Sequence, residues 1–218
     1  NNSIQIIVSP VIGIKEEYLY NIRRFLNICR EVGMPVLWTV CCHSTSAVSY
    51  YNLEVWYRMT QMYAVREVAD HYAERFVRPL CEMLAEYPDV VAMVSIADEP
   101  ENEINDSEVG DHFEGDRAMY GTTRENMLYL MKAINNVVKK ELPGMPRTIA
   151  STGGVNKSFY AELELDVMGH NNYNNNSHVP ELEQFKTTRP AILAEYNVGG
   201  DAKESDDELT ASLIKFRE

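Results

Sequence analysis

Short runs of apolar, mostly β-branched residues recur along the chain, and longer stretches with helical spacing separate them. Near-continuous apolar runs are typical of parallel strands that are buried on both faces. Their alternation with helices predicts a parallel sheet covered by helices. Six runs fit: "SIQIIVSP" (3–10), "PVLWTVCCHS" (35–44), "DVVAMVSIADEP" (89–100), "RTIASTGG" (147–154), "LDVMGHNNY" (165–173) and "AILAEYNVGG" (191–200).

The helices are predicted from spacing and from start and stop signals. Gly33 supplies a helix stop, Pro79 either kinks its helix or starts a second one, and Thr122 with Glu125 has the form of a capping box. Five stretches are predicted to be helical: 14–32, 62–87, 122 to about 140, 180–187 and 206–216.

Polar side chains collect at the C-terminal ends of the predicted strands. They are His43 and Ser44, Asp98 and Glu99, Ser151 and Thr152, His170, Asn171 and Tyr173, and Glu195 and Tyr196. In a (β/α)8 barrel the active site is built from this end of the strands. A dinucleotide-binding sheet is disfavoured, because no Gly-x-Gly-x-x-Gly follows the first strand.

The sequence therefore predicts a (β/α)8 TIM barrel. Only six of its eight strands are found, so the first and last strands are expected to be missing. Residues 1–218 are interpreted as a single barrel domain and as a fragment of a longer chain.

Two of the strand-end carboxylates are candidates for catalysis. Glu99 closes the third predicted strand and Glu195 closes the sixth, a separation that puts both side chains across one barrel mouth. Glycoside hydrolysis needs two facing carboxyl groups, one to protonate the leaving oxygen and one to attack the anomeric carbon or activate water. One must be protonated and the other ionised near neutral pH.

Four motifs resemble those of the large clan of retaining glycosidases. "VSIADEPENE" (94–103) resembles the strand-4 motif, in which Asn-Glu-Pro carries the acid/base. "RPAILAEYNVGG" (189–200) resembles the strand-7 motif with its nucleophilic Glu. "LDVMGHNNYNN" (165–175) is similar to strand 6 of glycoside hydrolase families 2 and 5, and "GMPVLWTVCCHS" (33–44) matches the strand-3 pattern that ends in a histidine. The resemblance covers most of the chain.

This resemblance implies a retaining β-glycosidase that hydrolyses O-glycosidic bonds of an oligo- or polysaccharide by double displacement, without a cofactor or metal. It implies Glu99 as the general acid/base and Glu195 as the nucleophile, with His170 or Tyr173 keeping Glu195 ionised. The predicted substrate-binding residues are His43, Asp98, His170, Asn171, Tyr173 and Trp56. Trp56 belongs to an aromatic loop that either stacks on sugar rings or packs on the barrel.

Asp98 departs from the clan's pattern, which has Asn at this position. That Asn donates a hydrogen bond to the sugar 2-hydroxyl, whereas an ionised Asp can only accept one. Three explanations stay open: the substrate presents a donor, Asp98 is protonated, or catalysis is impaired.

Two other functions also fit the sequence. A metal-dependent barrel of the sugar-isomerase type would hold a divalent ion with Glu99, His170 and Glu195, with or without His43. Against it, the strand "RTIASTGG" contributes no acid. A catalytically impaired, carbohydrate-binding relative of the glycosidases is the second alternative.

The charge, hydropathy and cysteine content of the sequence argue against several classes of partner. With 20 basic and 33 acidic residues the formal charge is −13, which argues against a nucleic-acid partner. No apolar run approaches the roughly 20 residues that span a bilayer. The four cysteines lack metal-site spacing and are predicted to be structural. A polysaccharide substrate would place the protein outside the cell, secreted or periplasmic; the oligomeric state stays open.

Overall fold

A computed structural model describes residues 14, 16–41, 62–100, 123–152, 160–172 and 190–196. Three predicted elements lie outside the described residues: the strand at 3–10 and the helices at 180–187 and 206–216.

Five strands form one parallel sheet. They are β1 (Val36–Thr39), β2 (Val91–Asp98), β3 (Arg147–Thr152), β4 (Met168–Asn172) and β5 (Ala191–Tyr196). Their order in the sheet is their order in the chain, and every neighbouring pair is parallel. A doubly wound sheet would reverse its order at a switch point, whereas a barrel wall advances one strand at a time. All five strands lie inside predicted runs, which confirms the parallel sheet.

Helix α1 (Glu16–Val32) ends where the sequence predicts. Gly33 has a φ of 68°, in the left-handed region that favours glycine. Its N–H donates to the Arg30 carbonyl at 3.2 Å, and the Met34 N–H donates to the Cys29 carbonyl at 2.8 Å. This paired arrangement is a Schellman motif, which satisfies carbonyls that a helix end would leave unpaired.

Pro79 starts a new helix after a widened turn. Helix α2 (Arg66–Tyr72) passes into a π-helical turn (Ala73–Val77), and α3 (Arg78–Leu84) follows with Pro79 in its first turn. Proline has no N–H, so the carbonyl of Arg75 loses its helical donor. That carbonyl instead accepts the N–H of Ile14 at 3.1 Å, which ties the segment before α1 to this helix.

Helix α4 (Arg124–Glu141) begins one residue later than the predicted capping box implies. Its N-cap is Thr123, whose hydroxyl accepts the Asn126 N–H at 3.2 Å, so the prediction of Thr122 with Glu125 was wrong by one position. Asn126 therefore holds the position assigned to Glu125. Its side chain donates to the Ala64 carbonyl at 2.9 Å instead of reaching back to the cap.

The helices pack on one face of the sheet and form the core. Fully buried side chains come from α1, from the helices around Pro79, from α4 and from the strands: Ile22, Leu26, Phe76, Leu80, Leu130, Ile134, Val94, Ile96 and Ile149. The three cysteines within the described ranges, Cys29, Cys41 and Cys81, are buried free thiols, which agrees with a structural role. None of the described helices has the length and apolar content to cross a membrane.

A charged contact fixes α1 against the turn that leads into β2. Arg30 donates from Nε and from a terminal nitrogen to the two carboxylate oxygens of Asp89, both at 2.7 Å. The hydrogen bond from Arg30 lowers the pKa of Asp89 below its usual value. The guanidinium also lies 4.5 Å from the ring centroid of Tyr87. These contacts link the last turn of α1 to the turn that precedes β2.

Candidate active site

A bulge near the C-terminal end of β2 sets up the candidate site. Ser95 pairs with Thr148 of β3 but Asp98 pairs with Ala150, so β2 carries one extra residue over this interval. The Ser95 hydroxyl fills the gap, since it accepts the Ala150 N–H at 3.2 Å and donates to the Ala97 carbonyl at 2.7 Å. A bulge of this kind bends a strand and re-aims the side chains that follow it.

Asp98 and Glu99 are held between the two neighbouring strands. The Asp98 N–H donates to the Cys41 carbonyl just after β1 at 2.8 Å, and the Glu99 N–H donates to the Ala150 carbonyl of β3 at 2.7 Å. Glu99 takes a φ of 44°, and its side chain is only 8% exposed. Glu164, the other non-glycine residue with positive φ in the described ranges, lies in an exposed turn.

The backbone conformation of Glu99 is therefore strained as well as buried. Residues held in such regions cost on the order of 1–3 kcal/mol, persist only where their surroundings enforce them, and cluster at functional sites. The two backbone hydrogen bonds to the flanking strands supply that enforcement.

Asn171 of β4 joins the two carboxyl groups. Its amide nitrogen, Nδ2, donates to Oε1 of Glu99 at 3.0 Å and to Oδ1 of Asp98 at 3.2 Å. The residue is 2% exposed, and its Oδ1 has no hydrogen-bond partner among the described residues. One buried amide thus uses both of its N–H groups on two adjacent carboxyl groups.

The close approach of β3 and β4 at Gly169 places Asn171, two residues further along β4, within reach of the Asp98 and Glu99 carboxyl groups. Gly169 pairs with Ala150, and a Cβ at Gly169 would lie 2.4 Å from the Ile149 carbonyl oxygen. Only glycine fits there without moving a strand. The Ser151 hydroxyl donates to the Gly169 carbonyl at 3.1 Å and adds a second link between the strands.

The backbone register places Glu195 beside this cluster. Asn171 pairs with Glu195 of β5, after a register shift that separates it from the pair His170 and Leu193. Strands β2 and β5 are separated by two strands, as the positions of Glu99 and Glu195 predict. For Glu195 and His170 the backbone is described and the side chain is not.

The remaining predicted site residues, His43, Trp56 and Tyr173, lie outside the described residues, so their roles stay predictions. Within the described part of the chain, no group of three or more His, Cys, Asp or Glu side chains could hold a metal ion. Of the residues named for the metal alternative, Glu99, His170, Glu195 and His43, only Glu99 has a described side chain.

Two residues of the site were not predicted. Ser95 shapes the bulge, and its signal was a lone hydroxyl inside the apolar run "VAMVSIA". Gly169 sets the approach of β3 and β4, and its signal was a glycine inside a predicted strand, which often marks close backbone contact.

Comparison with known proteins shows the fold. No protein-family model and no curated protein matches the sequence. Among solved structures, the β-mannanase of the blue mussel Mytilus edulis is 15% identical, with a TM-score of 0.69 over 94% of this chain and 65% of that one. The β-1,4-mannanase of the sea hare Aplysia kurodai is 10% identical, with a TM-score of 0.60 over 84% of this chain and 60% of that one.

A family 1 glycoside hydrolase of Thermotoga maritima is 14% identical, with a TM-score of 0.64 over 96% of this chain and 66% of that one. The chain thus has the fold of the (β/α)8-barrel glycosidases, which confirms the predicted fold class. It spans 60–66% of the length of these three proteins. Families 2 and 5, suggested by the sequence motifs, are not specifically shown by these likenesses.

Proposed function

We propose that the chain carries the catalytic centre of a retaining β-glycosidase that hydrolyses O-glycosidic bonds in an oligo- or polysaccharide. The observation that carries the proposal is the state of Glu99: buried, strained, and held with Asp98 by one amide at the C-terminal end of a barrel strand. Glu195 at the end of β5 supplies the second carboxyl group.

In the proposed mechanism Glu99 is the general acid/base and Glu195 is the nucleophile. Glu195 bonds to the anomeric carbon while Glu99 gives its proton to the departing glycosidic oxygen. Glu99 then takes a proton from the water that hydrolyses the glycosyl–enzyme ester and releases Glu195. His43, His170, Tyr173 and Trp56 are proposed to line the sugar subsite.

The contact from Asn171 favours one of the three explanations for Asp98. Oδ1 of Asp98 accepts the Asn171 N–H at 3.2 Å, and we propose that Asp98 also acts as an acceptor towards the substrate. It would then accept a hydrogen bond from a sugar hydroxyl where the clan's Asn donates one. The substrate consequently presents a hydroxyl group turned as a donor at this position.

The neighbours suggest which sugars to test. The solved structures with this fold include three β-mannanases, an endo-β-1,4-xylanase and a β-glucosidase. We therefore propose that the substrate is a neutral, β-linked polysaccharide or oligosaccharide built from mannose, xylose or glucose. We also propose that the protein is secreted or periplasmic, because such polysaccharides occur there.

The test compares wild type with two variants on aryl β-mannosides, β-xylosides and β-glucosides and on the matching oligosaccharides. Glu195→Gln should abolish turnover, because the nucleophile is lost. Glu99→Gln should lower kcat/KM for a phenyl glycoside by about 10²- to 10⁴-fold, the usual contribution of a general acid. Glu164→Gln is the matched control: it is also a glutamate with positive φ, but it lies in an exposed turn and should leave activity unchanged.

Three results would contradict the proposal. Full activity in Glu195→Gln would exclude Glu195 as the nucleophile. Loss of wild-type activity with a chelator, restored by a divalent metal, would favour the isomerase-type barrel. Binding of oligosaccharides by the wild type without any turnover would identify the impaired relative.

A further inference from the structure

We propose that Asn171 is a positioning residue, which holds the carboxyl group of Glu99 in one orientation and so determines which oxygen carries the catalytic proton. The inference rests on the proposed role of Glu99 as general acid/base. It assigns to Asn171 a task other than binding sugar.

The hydrogen bonds fix the orientation of the amide. Both N–H groups of Nδ2 point at carboxyl oxygens, at 3.0 Å to Glu99 and 3.2 Å to Asp98. A half-turn of the amide would place its own Oδ1 against the same two oxygens, and acceptors facing acceptors repel. The amide therefore has one stable orientation, and the two carboxyl groups cannot turn away from each other without leaving an N–H unpaired.

This arrangement selects one oxygen of Glu99. When Glu99 is protonated, its carbonyl oxygen is the better acceptor, so the oxygen that receives the Asn171 N–H acts as the carbonyl. The transferable proton then resides on Oε2. A glutamate side chain has several rotatable bonds, so fixing the proton on one oxygen removes misdirected arrangements from the ground state.

The burial of Asn171 supports a role in orienting the Glu99 carboxyl group. Asn171 is 2% exposed, and its Oδ1 lacks a partner among the described residues, a situation that costs about 1–3 kcal/mol. A small apolar residue would avoid that cost if the position served packing alone. The backbone of Asn171 is pinned from both sides, by Thr152 of β3 and Glu195 of β5, so the amide is presented from a rigid element.

The test uses the dependence of kcat/KM on the leaving group, because only poor leaving groups need a well-placed acid. For glycosyl transfer to the enzyme, 2,4-dinitrophenol departs without protonation, whereas phenol requires it. Asn171→Ala should lower kcat/KM for the phenyl glycoside by about 10²-fold and leave the dinitrophenyl glycoside little changed. In a Glu99→Gln background the same substitution should have no further effect on either substrate.

Asn135→Ala is the matched control. Asn135 is a buried asparagine too, 6% exposed, but it lies in α4 and bonds to Arg147 at the opposite end of β3 and to the Leu163 carbonyl. A loss of folded protein lowers the rates for both substrates by the same factor, so their ratio in this variant should equal that of wild type.

Equal losses for both substrates in Asn171→Ala would overturn the inference while the proposed function stands. A wild type without activity on any glycoside would overturn the proposed function instead. In that case the contact between Asn171 and Glu99 is tested by urea unfolding of Asn171→Ala, Glu99→Gln and the double variant. Changes in the free energy of unfolding that do not add in the double variant would support the positioning contact, and additive changes would overturn it.

Discussion

At the scale of single residues, burial also changes the chemistry of a side chain outside the candidate site. The thiol of Cys81 in α3 is fully buried, and desolvation raises its pKa from the ordinary 9.0 to about 12. Below about pH 9 the thiol is protonated in both the folded and the unfolded state. Above that pH the unfolded chain loses a proton that the folded protein keeps, so stability falls as the pH rises.

We therefore expect Cys81 to lower the free energy of unfolding by up to about 1.4 kcal/mol per pH unit above pH 9. Urea unfolding of wild type and Cys81→Ala at several values between about pH 8 and pH 10.5 measures the difference in slope. Equal slopes in the two proteins would show that the thiol titrates normally in the fold.

Residues of the site differ in how far the sequence could identify them. Asp98 and Glu99 were predictable because they follow an apolar strand directly. The contact between Asn171 and Glu99 was not, because it joins residues 72 positions apart and depends on the register of three strands. The positive φ of Glu99 had no signal in the sequence, since glutamate rarely adopts it.

At the scale of elements, the bulge in β2 is held by one hydroxyl group. In Ser95→Ala the Ala150 N–H loses its acceptor inside the core, and an unpaired buried group costs about 1–3 kcal/mol. Activity should fall as well, since the bulge aims Asp98 and Glu99. Urea unfolding and kcat/KM on an aryl glycoside measure both effects.

Ser151→Ala is the comparison for stability. Its hydroxyl is also buried, but it donates to a carbonyl oxygen, which has a second lone pair, so less should be lost. A Ser95→Ala variant no less stable than Ser151→Ala would mean that the bulge closes without the hydroxyl.

The ends of the helices were predicted from sequence patterns with unequal success. Gly33 ended α1 as predicted, because only the left-handed region closes a Schellman motif. The start of α4 was predicted one residue too early, since the capping-box pattern fits Thr122 with Glu125 whereas Thr123 has Asn126 at N3. The extended backbone of Thr123, with φ of −114° and ψ of 159°, decides between them, and no local pattern encodes that choice.

At the scale of the whole molecule, the alternation of strands and helices predicted a parallel sheet, and the polar residues at the strand ends indicated a barrel. Within the described residues, five of the six predicted strands lie in consecutive order, and the polar C-terminal ends of β2, β4 and β5 lie at the same edge of the sheet. The sequence could not give the distance between those ends, because curvature depends on bulges and close approaches such as those at Ser95 and Gly169.

Curvature decides the stereochemistry of the proposed reaction. Neighbouring strands lie about 4.8 Å apart, so in a flat sheet β2 and β5 would be separated by roughly 14 Å. That is too far for double displacement, which needs carboxyl groups about 5–5.5 Å apart. In the barrel, the Glu99 side chain reaches past β3 to Asn171 of β4, and the backbone of Asn171 pairs with that of Glu195 in the adjacent strand β5. Curvature of this kind brings the ends of β2 and β5 closer together than a flat sheet would.

We therefore expect the anomeric configuration of the sugar to be retained. Proton NMR of the first product formed from an aryl β-glycoside measures the outcome, provided that spectra are taken before the anomers equilibrate. Release of the β-anomer would support Glu195 as the nucleophile. Release of the α-anomer would require carboxyl groups about 6.5–9.5 Å apart with a water between them, and Glu195 would then be a general base.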